Sequence, residues 1–242
     1  MTHELWQERA ALPGLQAVLD PLDRRGAKNR YIDYLHRHAL ERGLDLQPGQ
    51  RVLDLGCGVG RLSSWLARDA RQVVGVDISP AMLSAARRAT ASPNPSFVRY
   101  ANEALPFADG TFDRVVSVFV LQHVSDERQL GALLAEIDRI TRDGGRVAII
   151  EQVRRRSDEV AGYIKHRTHQ AYVQNFAEHG FRSIADKPIR APAGWSAAAG
   201  RGLLPERAWP VASRIDQWIA SAAGERLTYT DRLIVFEKTT RP

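Results

Sequence analysis

Apolar and polar positions follow two different rhythms along this chain, and the change comes near residue 48. Before it, Tyr31, Ile32, Tyr34, Leu35, Ala39 and Leu40 recur at the spacing of one helix face, so residues 1–47 are expected to be mostly helical. Gly43 and Pro48-Gly49 punctuate the exit. From Arg51 onward, short apolar runs alternate with amphipathic stretches. Strands are expected at Val52–Leu55, Gln72–Val76, Ser96–Tyr100, Arg114–Phe119 and Val147–Gln152. A glycine loop and a helix to about Arg68 follow the first strand. Ser79 caps the next helix, with Pro80 at its first position. A further helix over 126–140 stops before Asp143-Gly144-Gly145.

Beyond Gln152 the pattern predicts a charged helical stretch over 157–179 and a strand at Phe181–Ile189. A last strand is expected near Thr228–Glu237. Between those two strands lies a segment, 191–226, rich in Ala, Gly and Pro and carrying Trp195, Trp209 and Trp218; about 206–222 of it reads as helix. Strands that alternate with helices imply βαβ units and an α/β fold with a parallel sheet. Apolar runs such as Val147-Ala-Ile-Ile150 fit strands buried on both faces. Ligand should sit at the carboxyl ends of such strands.

Composition narrows the class. The chain has 242 residues, enough for one α/β domain with additions. No apolar run approaches the ~20 residues a membrane span needs. No basic stretch followed by an apolar one marks a secretory signal, so the cytoplasm is the expected location. A single cysteine, Cys57, excludes an internal disulfide framework and a cysteine zinc site. No metal is expected. The formal charge is +6. Basic clusters at Arg24, Arg25, Lys28, Arg30 and at Arg154, Arg155, Arg156 lack interleaved aromatics, which disfavours nucleic acid as a partner.

The glycine loop carries the chemistry. Gly56, Gly58 and Gly60 form a turn without Cβ atoms, able to take positive φ and let a nucleoside approach the backbone. Asp77 stands 21 positions beyond Gly56, at the end of the next strand, where a carboxylate can accept from both ribose hydroxyls. The third glycine arrives one residue earlier than in the dinucleotide fingerprint, and Asp54 stands two residues before the first. A pyrophosphate has no use for that acid, whereas an ammonium and a sulfonium do.

Asp54-Leu-Gly-Cys-Gly-Val-Gly60 resembles motif I of the class I S-adenosylmethionine (SAM)-dependent methyltransferases, in particular their small-molecule, type 11-like branch. Gly75-Val-Asp-Ile-Ser79 with Pro-Ala-Met-Leu83 resembles the second motif. Phe97–Phe107, Phe112–Val124 and Arg142-Asp-Gly-Gly145 resemble the third to fifth, so the likeness covers about 48–152. It implies a doubly wound, Rossmann-like, mostly parallel seven-stranded sheet whose last strand is antiparallel. The additions would be a helical cap over 1–47 and the 191–226 insertion between the sixth and seventh strands, a lid or an oligomer contact in a monomer or homodimer. The domain proper would be 48–242.

The resemblance also implies site roles. SAM, leaving as S-adenosylhomocysteine, would be held by Asp54, Gly56, Cys57 and Gly58, by Asp77 at the ribose, and by Ile78 and Met82 at the adenine. Asn102 and Glu103 of the third motif would contribute, and Phe119 would lie near the sulfonium. Ala101 stands where the family usually has an acid. His123, after the fourth strand, is the candidate general base. Tyr31, Glu151 and His166 are candidate contacts to a small-molecule acceptor, with Trp6 and Arg30 nearby; His166 and His169 would share a helix face. Arginines around such a pocket would suit an anionic acceptor. An RNA or protein methyltransferase, a non-catalytic SAM-binding module and an NAD-dependent oxidoreductase are the alternatives.

Overall fold

In the computed structural model, residues 2–100, 104–160, 162–191, 194–224 and 227–240 are described. The helices are α1 (Thr2–Arg9), α2 (Ala27–Gly43), α3 (Arg61–Leu66), α4 (Pro80–Ala89), α5 (Glu127–Ile140), α6 (His169–Glu178), α7 (Gly194–Gly200) and α8 (Trp209–Ala223). The strands are β1 (Arg51–Leu55), β2 (Gln72–Asp77), β3 (Ser96–Arg99), β4 (Phe112–Val118), β5 (Thr141–Arg154), β6 (Asp158–Val160), β7 (Ile164–His166), β8 (Phe181–Arg190) and β9 (Tyr229–Lys238).

Seven strands form one sheet in the order β3-β2-β1-β4-β5-β9-β8. The five strands from β1 to β5 pair parallel, and β9 runs antiparallel to both β5 and β8. This is the doubly wound, Rossmann-like sheet that the resemblance implied. Strand side chains alternate between two cores. Leu53, Val115, Val147, Ile149, Ile234 and Phe236 face α5 and α6. Val52, Val116, Ala148, Ile150, Leu233 and Val235 face α2, α3, α7 and α8. Burial on both faces explains why these strands read as continuous apolar runs.

The N-terminal 47 residues divide into two parts. Helix α2 is a sheet-covering layer, through buried Tyr31, Leu35, Leu40 and Leu44. Arg114 on β4 locks its end: the buried guanidinium donates to the carbonyls of Leu44 and Asp45, both at 2.9 Å. Helix α1 lies instead over the carboxyl ends of the strands. Arg9 donates to the carbonyls of Ala17 and Leu19 at 3.0 and 2.6 Å, pinning α1 to the following turn.

Two expectations need correction. The helix expected over 157–179 forms only from His169. Residues before it make an antiparallel hairpin, β6–β7, turned at Gly162 with φ 70°. Thr168 then starts α6 by accepting the Ala171 N–H at 3.1 Å. His166 therefore ends a strand while His169 opens a helix, and they share no helix face. The 191–226 segment holds two helices; α7 packs on α2 and α8 along β8. Its Trp209 packs against the rings of Tyr31 and Tyr34 at 5.7 and 5.5 Å. Trp218, by contrast, is 70% exposed.

Candidate active site

Two cavities open along the carboxyl ends of the parallel strands, one over β1, β2 and β4 and the other over β4 and β5. The larger, about 600 Å³, falls in the size range of small-molecule sites. Leu55, Gly56 and Gly58 line it from β1 and the glycine loop, Asp77, Ile78 and Met82 from β2 and α4, and Tyr100 from beyond β3. The smaller, about 330 Å³, is lined by Arg9, Leu19, Lys28, Ile32, Gln152, Tyr163, His166, Arg190 and Tyr229 among others. Trp6, Val18, Phe119 and His123 line both.

The loop geometry is set by backbone that side chains would spoil. Gly56 and Gly58 have φ of 70° and 54°. A Cβ at Gly56 would collide with Val120, and one at Gly58 would come within 2.5 Å of Val18. The Gly56 and Cys57 amides donate to the Val76 carbonyl at 2.8 and 2.9 Å, tying the loop to β2. Asp77 closes the arrangement. One carboxylate oxygen accepts the Gly58 N–H at 2.9 Å, the other the Ser79 N–H at 2.8 Å. Burial nevertheless raises its pKa above the ordinary value, against those hydrogen bonds. Asp77 lines the cavity, and each oxygen has a further lone pair beyond the amide it accepts, as two ribose hydroxyls require. The residues present thus fit a nucleoside cofactor.

Asp54 and Cys57 are not on the cavity wall. Asp54 is buried behind the loop, where it accepts the Ser63 hydroxyl at 2.5 Å; burial pushes its pKa up to about 6. It ties β1 to α3 and holds the loop from behind. Cys57 is also buried, and burial pushes its thiol well above the ordinary range. Asn102 and Glu103 lie outside the described residues. Phe119 is the strained point: a non-glycine residue at φ 57°, held by its N–H to the Ile150 carbonyl at 2.8 Å. Such a conformation costs on the order of 1 kcal/mol and persists where the surroundings impose it.

His123 sits in a short turn, Leu121–His123, with its ring edge-on to Trp6 at 5.0 Å and stacked on Tyr163 at 6.2 Å. Burial among these rings pushes its pKa down to about 4, against a backbone hydrogen bond with Tyr163. It is a neutral imidazole throughout the physiological range. The turn itself is clamped from below. Buried Glu151 accepts the amides of Val120 and Leu121 at 3.0 and 2.8 Å, and buried Arg167 donates to the carbonyls of Leu121 and Val124 at 3.0 and 2.6 Å.

Of the three expected acceptor contacts, only His166 lines the smaller cavity. Glu151 points under the turn, because two amides need its oxygen. Tyr31 is fully buried and donates its hydroxyl to Asp216 at 2.9 Å. Arg30 is paired outside with Glu206 at 3.2 Å. Trp6 does reach both cavities. Sequence reading missed Val18, Tyr100, Tyr163, Arg190 and Tyr229. Tyr100 follows a strand end, so the carboxyl-end rule alone points to it. No local signal marks the others, because the segments that bring them together are distant in sequence.

The methyltransferase domain family matches residues 53–149 of this chain. A demethylmenaquinone methyltransferase from Renibacterium salmoninarum is 32% identical over 184 residues, covering 75% of this chain and 69% of the relative. This chain belongs to the class I SAM-dependent methyltransferases. Another relative, a demethylmenaquinone methyltransferase from Beutenbergia cavernae, is 42% identical over 120 residues, 50% of this chain and 48% of its own length. This methyltransferase spans about half the length of most curated relatives it matches. Among solved structures, the [4+2]-cyclase SpnF superposes with a TM-score of 0.66 at 20% identity, covering 86% of this chain and 82% of that one. At that identity the likeness concerns the fold alone. Among the described residues, no helix is long and apolar enough to cross a membrane.

Proposed function

We propose that this methyltransferase binds SAM in the larger cavity and methylates an oxygen or nitrogen of a small-molecule acceptor held in the smaller one. The observation that carries this reading is the meeting of the two cavities at Trp6, Val18, Phe119 and His123. A group passed from one ligand to the other must cross there. In the larger cavity Asp77 takes the ribose, Gly56 and Gly58 admit the backbone approach, and Ile78 and Met82 pack on the base. Asp54 acts from behind, through the loop.

When bound, SAM supplies a methyl group on a sulfonium, already activated for in-line displacement. The chain's part is to align the acceptor and keep water out. Trp6 on α1 and Phe119 wall the crossing point. His123, neutral beside a cationic ligand, walls the crossing point without adding repulsion. Arg9, Lys28 and Arg190 line the acceptor side; Lys28 pairs with Asp20 at 2.6 Å and Arg190 with buried Asp231 at 2.7 Å. Arg9, held by backbone carbonyls rather than by an acid, favours an acceptor with an anionic group. Ile32, Tyr163 and Tyr229 favour an apolar or aromatic body. The relatives named for demethylmenaquinone act, by those names, on a small molecule, which supports the same class of acceptor.

The fold does not by itself dictate methyl transfer. Calorimetry with SAM and S-adenosylhomocysteine is the first test, and micromolar binding of both is expected. Folded protein that binds neither at high micromolar concentration sinks the proposal. Tight binding with no methylated product across acids, phenols and amines would make the chain a SAM-binding module.

A further inference from the structure

The smaller cavity contains a second histidine whose surroundings differ from those of His123. Strands β6 and β7 pair so that Asp158 and His166 stand directly opposite each other. The register therefore builds a contact: His166 Nδ1 lies 3.0 Å from Asp158 Oδ1. The other carboxylate oxygen accepts from Arg154 Nη1 at 2.5 Å, which stops the acid from rotating away. His166 is buried in the wall of the acceptor cavity, and its Nε2 makes no hydrogen bond among the described residues. The hairpin is anchored to the turn that bears His123: Lys165 donates to the Ser125 carbonyl at 3.3 Å and pairs with Glu127 at 2.6 Å.

We infer that His166, oriented by Asp158, is the general base that removes the proton from a hydroxyl acceptor, so that the acceptor atom is oxygen. The inference rests on the methyl-transfer reading above. A carboxylate that accepts from Nδ1–H fixes the tautomer and leaves the Nε2 lone pair for the incoming proton. His123 offers no such arrangement: its Nδ1 is buried without a partner, and its ring lies between two aromatic rings. His166 also belongs to the acceptor cavity alone, whereas His123 faces both.

The step balances. The acceptor O–H proton moves to His166 Nε2, giving an imidazolium beside the Asp158 carboxylate. The oxygen lone pair forms the new bond to the methyl carbon as the carbon–sulfur bond breaks and its electron pair stays on sulfur. The imidazolium then returns its proton to water. Asp158 is a positioning residue, since it acts through the ring.

Nitrogen-15 NMR of histidine-labelled protein saturated with S-adenosylhomocysteine tests the geometry without a known acceptor. At pH 7.5 His166 should carry its proton on Nδ1, and Asp158→Asn should convert it to a tautomer mixture with cofactor affinity unchanged. With SAM, catechol and 4-hydroxybenzoate as probes, His166→Gln should lower methylated product at least 100-fold, in the range of general-base effects. Its S-adenosylhomocysteine affinity should stay within twofold. A proton on Nε2 in the native protein overturns the inference, as does turnover by His166→Gln within threefold of native. Aniline analogues methylated in preference to the phenols would also overturn it. Folded native protein that fails to bind S-adenosylhomocysteine defeats the methyltransferase reading instead, and the tautomer measured without ligand still reports on the dyad.

Discussion

The two halves of this site are built in different ways. The larger cavity, proposed for the donor, is made mostly by one stretch of chain, from β1 through α5, and its decisive features are backbone ones: positive φ at Gly56 and Gly58, and the two amides on Asp77. The smaller cavity, proposed for the acceptor, collects side chains from α1, the turn after it, α2, the loop after β4, the β6–β7 hairpin, β8 and β9. The first half tolerates few substitutions because close approach leaves no room. The second depends on side-chain size and charge, so it can change its ligand without disturbing the sheet.

Substitutions on either side test that division. The largest effect is expected at Asp77. Asp77→Ala removes the ribose acceptor and leaves the Gly58 and Ser79 amides without their partner, so S-adenosylhomocysteine affinity should fall about 100-fold or more by calorimetry. An affinity within threefold of native would place the ribose elsewhere. Gly56→Ala should come next. Its Cβ meets Val120, and φ 70° is unfavourable for alanine, so a loss of about 2–3 kcal/mol in stability and most of the cofactor affinity is expected.

Glu151→Gln sharpens the contrast from beneath. Burial pushes the Glu151 acid up to about 8 from an ordinary 4.5. Between those values the folded form holds it neutral while the unfolded form ionises. It therefore subtracts stability as pH rises through that window, and the loss levels off above about 8. Glutamine keeps an oxygen for the Val120 and Leu121 amides without that penalty. Melting at pH 5 and pH 8.5 should show the variant gaining on the native chain by up to about 1.4 kcal/mol per unit at most. An equal difference at both pH values would mean the acid is ionised in the fold.

A smaller effect, about tenfold on acceptor KM with little change in melting temperature, is expected for Trp6→Ala, because α1 covers the crossing point while standing outside both cores. The smallest catalytic effect belongs to Tyr31→Phe. It should lower stability by about 1–2 kcal/mol through the lost hydrogen bond to Asp216 and leave acceptor kinetics unchanged. A raised KM would return Tyr31 to the acceptor site.

The sequence by itself determined the parallel strands and the glycine loop. Alternation of apolar runs specified the strands, because a parallel sheet buries both faces. The glycine spacing and the acid one helix and one strand later specified the loop and the carboxylate that closes it, because those contacts are local in the chain. Only the tertiary structure decided the rest. Asp54, chosen for its charge, turned out to hold the loop from behind, and Glu151 to clamp a turn, because buried amides and hydroxyls compete for every carboxylate within reach. Residues 157–166 read as helix by composition, yet Gly162 turns them into a hairpin. That register sets Asp158 against His166, a pairing eight positions apart that no helical spacing predicts. The acceptor cavity likewise depends on long-range packing of α1 and β8–β9 around the strand ends, and the distances between such segments are settled by the sheet order, not by any local pattern.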